Sequence, residues 1–450
     1  MNMRIARQYK FVPHSFLFLI VIVGISASSW WFAQRRSSQL PYHGDFLHPV
    51  MERVSGSTNE MIAQLQTRLR SNPNDWQAYS QLGLAYLRIA RESGDPAFYQ
   101  KAEQAFKAAL DYELEDYAAV SGMGALALAR HQFREALNWG KQAQGINPER
   151  AYAYGVIADA QIELGQYGEA IQTLQTMVDL QPDMGSYARI SYIRELYGDV
   201  EGALEIMGWA VDAGTPNLEN TAWTRTQLGN LYFNNGEIEQ AAGEYKRTLE
   251  SYPGYVYALA GLGRVYAAQG RPDAAIQLLE KAIEKSSLPE FVIMLADIYV
   301  SQGQMEKARQ QFRLLQVIQE LYRVNGVEMD MEVALFNADH AIDLEKTLSE
   351  ARLGYDRRPS IYAADVLAWV LYKNGRCEEA RHYSQEALRL GTKDALKYFH
   401  AGMIAHCLGD DRSAQNYLKQ ALTINPFFST RYVEEALRTL ETLSTDSIQD

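Results

Sequence analysis

Two cysteines in 450 residues, Cys377 and Cys407, leave no disulfide framework, no Cys-x-x-Cys pair and no four-ligand zinc pattern. Alternating apolar and polar runs of the kind that make strands are also missing, which argues against a sheet-bearing fold. Positive charge is in short supply. Five of the 43 basic residues, Arg4, Arg7, Lys10, Arg35 and Arg36, fall in an opening stretch that carries no acid, so 38 remain against 55 acidic residues in the rest of the chain. A body that acidic repels phosphate backbones and argues against nucleic acid as a general partner. Length alone would suggest about three globular domains, but that division holds only if internal repeats are absent. They are present.

The opening stretch has its own signal. From Phe16 to Ala33 the run FLFLIVIVGISASSWWFA carries no charge. At about 1.5 Å per helical residue it nearly spans a hydrocarbon core of about 30 Å. Trp30 and Trp31 stand at its far end, where amphipathic rings favour the headgroup layer. The pattern predicts a short basic segment over 1–14, a transmembrane helix over 15–33 and a linker over 34–58. A cleavable signal peptide is the competing reading; the apolar run continues through Trp-Trp-Phe with no clean A-x-A site, which favours an uncleaved anchor. Arg4, Arg7 and Lys10 precede the span and Arg35 and Arg36 follow it. That small bias predicts a cytoplasmic N-terminus and an extracytoplasmic body.

Beyond the linker the chain is a succession of amphipathic helical segments marked by small residues twelve apart: Gly124 and Ala136, Ala158 and Ala170, Gly229 and Ala241, Gly263 and Ala275, Ala296 and Ala308, Ala368 and Ala380, Gly402 and Ala414. Whole units recur every thirty-four residues, as from Gly124 to Ala158, Gly229 to Gly263 and Pro148 to Pro182. Leu-Gly-x-x-Tyr stands at Leu82, Leu228 and Leu262, and Ala-x-x-x-Phe/Tyr at Ala102, Ala241 and Ala308. This array resembles the tetratricopeptide repeat, a helix-turn-helix unit of 34 residues. The resemblance implies an all-α fold: a right-handed α-solenoid of about ten units over 59–427, preceded by the transmembrane helix and closed by a capping helix and tail over 428–450.

Physical reasons accompany the markers. Two antiparallel helices approach closely where Gly or Ala on the first faces Ala on the second. Gly165, Gly236, Gly270, Gly303, Gly375 and Gly409 fall at the intervening turn, where positive φ ends the first helix. Pro148, Pro182, Pro253 and Pro426 stop the second helix. Leu, Ile, Tyr and Phe between them form a face that only stacking can cover. Three departures stand out. Gly83 and Ala102 are nineteen apart, a seven-residue extension assigned to the first turn; Tyr192 and Ala203 are eleven apart; and Phe336 and Leu348 replace both small residues in the weakest unit, about 320–358. Ser57 or Thr58 caps an opening half-repeat helix.

The resemblance implies binding in a concave groove lined by first helices. Repeat phase projects Tyr152, Arg189, Tyr197, Trp223, Asn230, Phe233, Asn234, Tyr257, Arg264, Tyr362, Trp369 and Tyr372 onto that wall. Carboxamides of Asn230 and Asn234 can satisfy peptide groups in any sequence, aromatic rings give apolar contact, and Arg189 or Arg264 can engage a carboxylate. The carboxylate-clamp subfamily does not match, because Thr226 stands where its Lys is expected. Gly122 to Ala127, GMGALA, fits a dinucleotide fingerprint formally but lacks the preceding strand. His400, His406 and Cys407 share one helix, which seldom closes a metal site. No metal or other cofactor is therefore expected. A regular stack brings Cys377 and Cys407 to one edge, where a disulfide can form outside the cytoplasm. The sequence thus reads as a non-enzymatic, membrane-anchored scaffold that binds a protein or peptide partner. It is similar to bacterial anchored repeat proteins that assist assembly of envelope complexes. A cytoplasm-facing regulator of envelope enzymes, and an envelope enzyme with an unrecognised site, are the alternatives.

Overall fold

The computed structural model describes residues 57–446. The expected transmembrane helix over 15–33 and nearly all of the linker lie outside them. Among the described residues no helix is long and apolar enough to cross a membrane.

All regular structure there is helical. An opening helix α1 (Thr58–Ser71) precedes ten hairpins. In chain order the hairpins are α2 (Trp76–Ser93) with α3 (Ala97–Tyr112), α4 (Tyr117–Ala129) with α5 (Phe133–Ile146), α6 (Ala151–Glu163) with α7 (Tyr167–Leu180), α8 (Met184–Leu196) with α9 (Val200–Asp212), and α10 (Glu219–Asn234) with α11 (Ile238–Ser251). There follow α12 (Val256–Ala268) with α13 (Pro272–Lys285), α14 (Pro289–Ser301) with α15 (Met305–Val324), α16 (Asp330–Asp339) with α17 (Leu344–Arg357), α18 (Ile361–Lys373) with α19 (Cys377–Leu388), and α20 (Ala395–Cys407) with α21 (Asp411–Ile424). Helix α22 (Val433–Asp446) closes the array.

Ser57 caps α1 in a capping box: its hydroxyl accepts from Glu60 N–H while the Glu60 carboxylate accepts from Ser57 N–H at 2.9 Å. First helices are buried nearly all round, as in α18, where Ile361 and every residue from Ala363 to Leu371 are buried. Second helices bury one stripe, such as Ala414, Leu418 and Ala421 in α21, and leave the rest to solvent.

Small residues serve a purpose beyond helix crossing. A Cβ on Gly229 or Gly261 would lie 2.6 Å from the ring of Tyr245, which is fully buried between them. Gly83 and Gly122 clasp Phe106 in the same way. The ring of the second helix thus sits between the glycines of two successive first helices, so Gly122 has a packing role inside a helix and no nucleotide-binding one.

The three irregular units resolve. In α8 the small residue at the crossing is Ser191, twelve before Ala203; it is fully buried and its hydroxyl donates to Ala203 O at 2.7 Å. Tyr192 is the exposed neighbour. In the α16–α17 unit the small residues are Ala334 and Thr347, both buried, rather than Phe336 and Leu348. One inserted turn residue separates them by thirteen, and Ala341 (φ 53°) takes the place that glycine holds elsewhere. The seven-residue extension of the first unit lies in the two helices and not in the turn: α2 runs for 18 residues where most first helices have 13, and α3 for 16 where most second helices have 14. Helix α15 is likewise long, at 20 residues.

Those extensions meet. The hairpins wind until the second half of the array lies against the first, and groups 192–198 residues apart in sequence touch. Ser286 Oγ donates to Ser93 O (3.0 Å), Glu328 N–H to Arg130 O (3.0 Å), the Thr392 hydroxyl to Leu196 O, and Asn425 Nδ2 to Phe233 O (2.8 Å). Each acceptor is a carbonyl at the end of a first helix, beyond the reach of the regular helical ladder; Phe233 O accepts from Gly236 N–H as well. Gly165 (φ 72°) and Gly198 (φ 74°) allow the approach, because a Cβ there would strike the carbonyls of Pro359 and Gly391. The seven-residue extension is therefore a cross-turn contact and not an inert lengthening.

Candidate functional site in the lumen

Closure of the turns converts the expected open groove into a cavity of about 1170 Å³ walled by first helices and by the seam. Trp223, 38% exposed, Asn230, Asn234, Arg189 and Arg264 line it. The sequence projection reached these five because repeat phase fixes which face of a first helix points inward.

Their engagements differ. Arg189 is committed: Nε and Nη2 donate to the two Asp159 carboxylate oxygens at 2.8 Å each, and Nη1 donates to Gly185 O at 3.1 Å. Burial would lower its pKa, but the Asp159 charge and hydrogen bonds outweigh it and the value is raised. Arg264 has no carboxylate within ion-pair distance among the described residues. Its Nη2 donates to Asn234 Oδ1 at 2.7 Å and its guanidinium lies over the Phe233 ring, 3.6 Å from the centroid. Burial lowers its pKa, with Tyr245 and Asp394 acting in the opposite sense.

The carboxamides are less free than the sequence suggests. Asn230 Oδ1 accepts from the Tyr245 hydroxyl at 2.7 Å, and its Nδ2 donates to Gln227 Oε1 at 3.2 Å. Asn234 stands between Arg264 and Glu195, to which its Nδ2 donates at 3.5 Å. Burial drives the Glu195 carboxyl up to about 7; the Asn234 hydrogen bond opposes this, Asp394 reinforces it and Lys397 opposes it.

Most of the other projected residues sit off the wall. Phe233 is 1% exposed and serves as the platform under Arg264 rather than as a contact surface. Tyr257 packs between the Tyr255 and Phe291 rings at 5.5 Å from each. Tyr197 is the C-cap of α8. Tyr362 does line the cavity, with the Arg358 guanidinium over its ring at 4.9 Å. Trp369 is fully buried, donates to Asp339 Oδ1 at 2.7 Å, and is stacked by Tyr372 and His400. Repeat phase misplaces it because the chain leading into α22 folds back over this unit, where Tyr432 OH also donates to Asp339 Oδ1 at 2.6 Å.

Sequence reasoning missed the acids and bases contributed across the turns. Arg91, on the α2 extension, donates to Glu219 at 2.6 Å, and Tyr255 OH donates to the other Glu219 oxygen at 3.0 Å. Arg358 pairs with Glu163 at 2.7 Å and with Glu332 at 3.0 Å. The nineteen-residue interval was the one available signal for the first of these.

His400 is fully buried against Asp365, with Nδ1 at 3.1 Å from Oδ2. Cys377 and Cys407 form a disulfide with Cα atoms 6.2 Å apart, tying α19 to the end of α20. His400, His406 and Cys407 thus fall in separate environments, and no group of three metal-binding side chains occurs among the described residues.

Tetratricopeptide repeat family models match residues 127–191, 226–317 and 361–428. Cellulose synthase operon protein C of Pseudomonas fluorescens (strain SBW25) is 23% identical over 252 residues, 56% of this chain and 17% of that protein, so the match spans about a sixth of the relative's length. Among solved structures, a tetratricopeptide repeat protein from Parabacteroides merdae is 15% identical (TM-score 0.40, 62% of this chain and 95% of that one). Human IFIT1 is 15% identical (TM-score 0.45, 84% and 89%). With ten hairpins, the small residues at their crossings and the family-model matches in agreement, the chain belongs to the tetratricopeptide repeat family.

Proposed function

We propose that this protein is a membrane-anchored scaffold that holds an extended segment of a partner protein in its lumen and so assists assembly of an envelope complex. The lumen carries the reading. It is lined by amides, a half-exposed tryptophan and charged groups at the centre of the array, where an extended chain could meet several of them at once. Such a surface suits a main chain with few sequence demands. The anchor rests on residues 15–33, and the Cys377–Cys407 disulfide supports a body in an oxidising compartment over a cytoplasm-facing regulator.

Site-specific photocrosslinking tests it. A photoreactive residue at Trp223, inside the lumen, is expected to capture a discrete partner in cells, whereas one at Arg309, exposed on α15, is not. Equal capture from both positions would remove the lumen as the binding surface.

A further inference from the structure

Of the arginines around the lumen, Arg91, Arg189 and Arg358 each hold a carboxylate of the protein, at 2.6, 2.8 and 2.7 Å. Arg264 is the exception, held by one amide oxygen and by a ring face, with further N–H donors left over. A part-buried guanidinium that faces the lumen without a counter-ion is open to one, and a carboxylate that met it edge-on would form the paired hydrogen bonds it lacks.

We infer that Arg264 is the receptor for a carboxylate on the bound polypeptide, with Phe233 fixing the plane of the guanidinium and Asn234 its rotation. The inference rests on the reading that the lumen holds a polypeptide. The acids that face the site are already answered. Asp394 accepts from the N–H groups of Leu396 and Lys397 and lies 3.9 Å from the Lys397 ammonium. Glu195 receives the Asn234 amide and, with its pKa pushed to about 7, carries only part of its charge at neutral pH. Size gives a second argument. A cavity of about 1170 Å³ is little larger than the roughly 300–1,000 Å³ of small-ligand pockets. It therefore admits a few residues of extended chain, such as a chain end, and no folded domain.

The test passes a random octapeptide library over the immobilised full-length protein in three forms: with free C-termini, with amidated C-termini, and with amidated C-termini and no Asp or Glu. Free-acid peptides are expected to be retained about tenfold or more over the acid-free amides, the scale of one charge-assisted pair. Arg264→Gln should erase that preference, Arg264→Lys should keep only part of it, and Arg309→Gln on α15 should leave it intact. If Arg264→Gln fails to fold by circular dichroism, Arg264→Lys, which keeps the charge, decides. Retention of Asp- or Glu-containing amides alone would assign the carboxylate to a side chain and still support the receptor. Equal retention of all three forms would overturn the receptor while leaving the scaffold reading standing; no retention of any form would overturn both.

Discussion

Two kinds of contact hold the array, and they obey different chemistry. Neighbouring hairpins meet through an apolar spine, in which a ring such as Tyr245 or Phe106 fills the space between glycines of two first helices. Successive turns meet through a polar seam, where side chains and amides answer the last carbonyls of first helices 192–198 residues away. The spine is local and periodic. The seam is neither, and it is what turns a groove into a lumen.

The comparison breaks most sharply at the spine. Tyr245→Ala would open a cavity between two first helices and should destabilise the array by about 3–5 kcal/mol, read as a lower denaturant midpoint. Removing the covalent link between the last two full units by Cys377→Ser should cost about 2–4 kcal/mol in a thermal or denaturant melt. That loss should vanish when both proteins are melted under reducing conditions.

The seam should be weaker per contact. Asn425→Ala removes the cross-turn donor to Phe233 O, which keeps the Gly236 N–H, at a cost of about 0.5–1.5 kcal/mol. Its signature is local: faster amide exchange around the α10 turn, with the Tyr245 cluster unchanged. Glu195 gives the most pH-specific effect. Its carboxyl is raised from 4.5 to about 7, so its protonated form is the one the fold favours. The resulting stability is full below about 4.5, declines through the window up to about 7 and is absent above it. Glu195→Gln should therefore flatten the pH dependence of the melt across that window and stabilise relative to the parent near pH 8.

Legibility in the sequence follows the same division. Ten units, most of their turns and six of the lumen residues were readable, because Gly, Ala and Pro recur at fixed intervals and phase sets the inward face. Ser191 and Thr347 escaped only because a search for Gly and Ala passes over other small or compact side chains that fill the same crossing. Arg358 with Glu163, Asn425 with Phe233 and Arg91 with Glu219 were not readable. Nothing local demands those pairs; they arise from how far each unit rotates on the last, a quantity summed over several interfaces. Trp369 failed for a related reason, since the chain that buries it returns from beyond the last full repeat.

Amide exchange at Glu328 and Ile361 tests closure of the turns most directly. Neither amide donates to a helical ladder: Glu328 N–H, in the loop before α16, bonds to Arg130 O at 3.0 Å and Ile361 N–H, at the start of α18, to Tyr167 OH at 2.8 Å, each about one superhelical turn away. Residue-resolved hydrogen–deuterium exchange should find both slow, in step with the cores of the first helices. Exchange of both at the rate of unprotected loop amides, while those cores stay slow, would mean that the turns do not meet and that the lumen is an open groove.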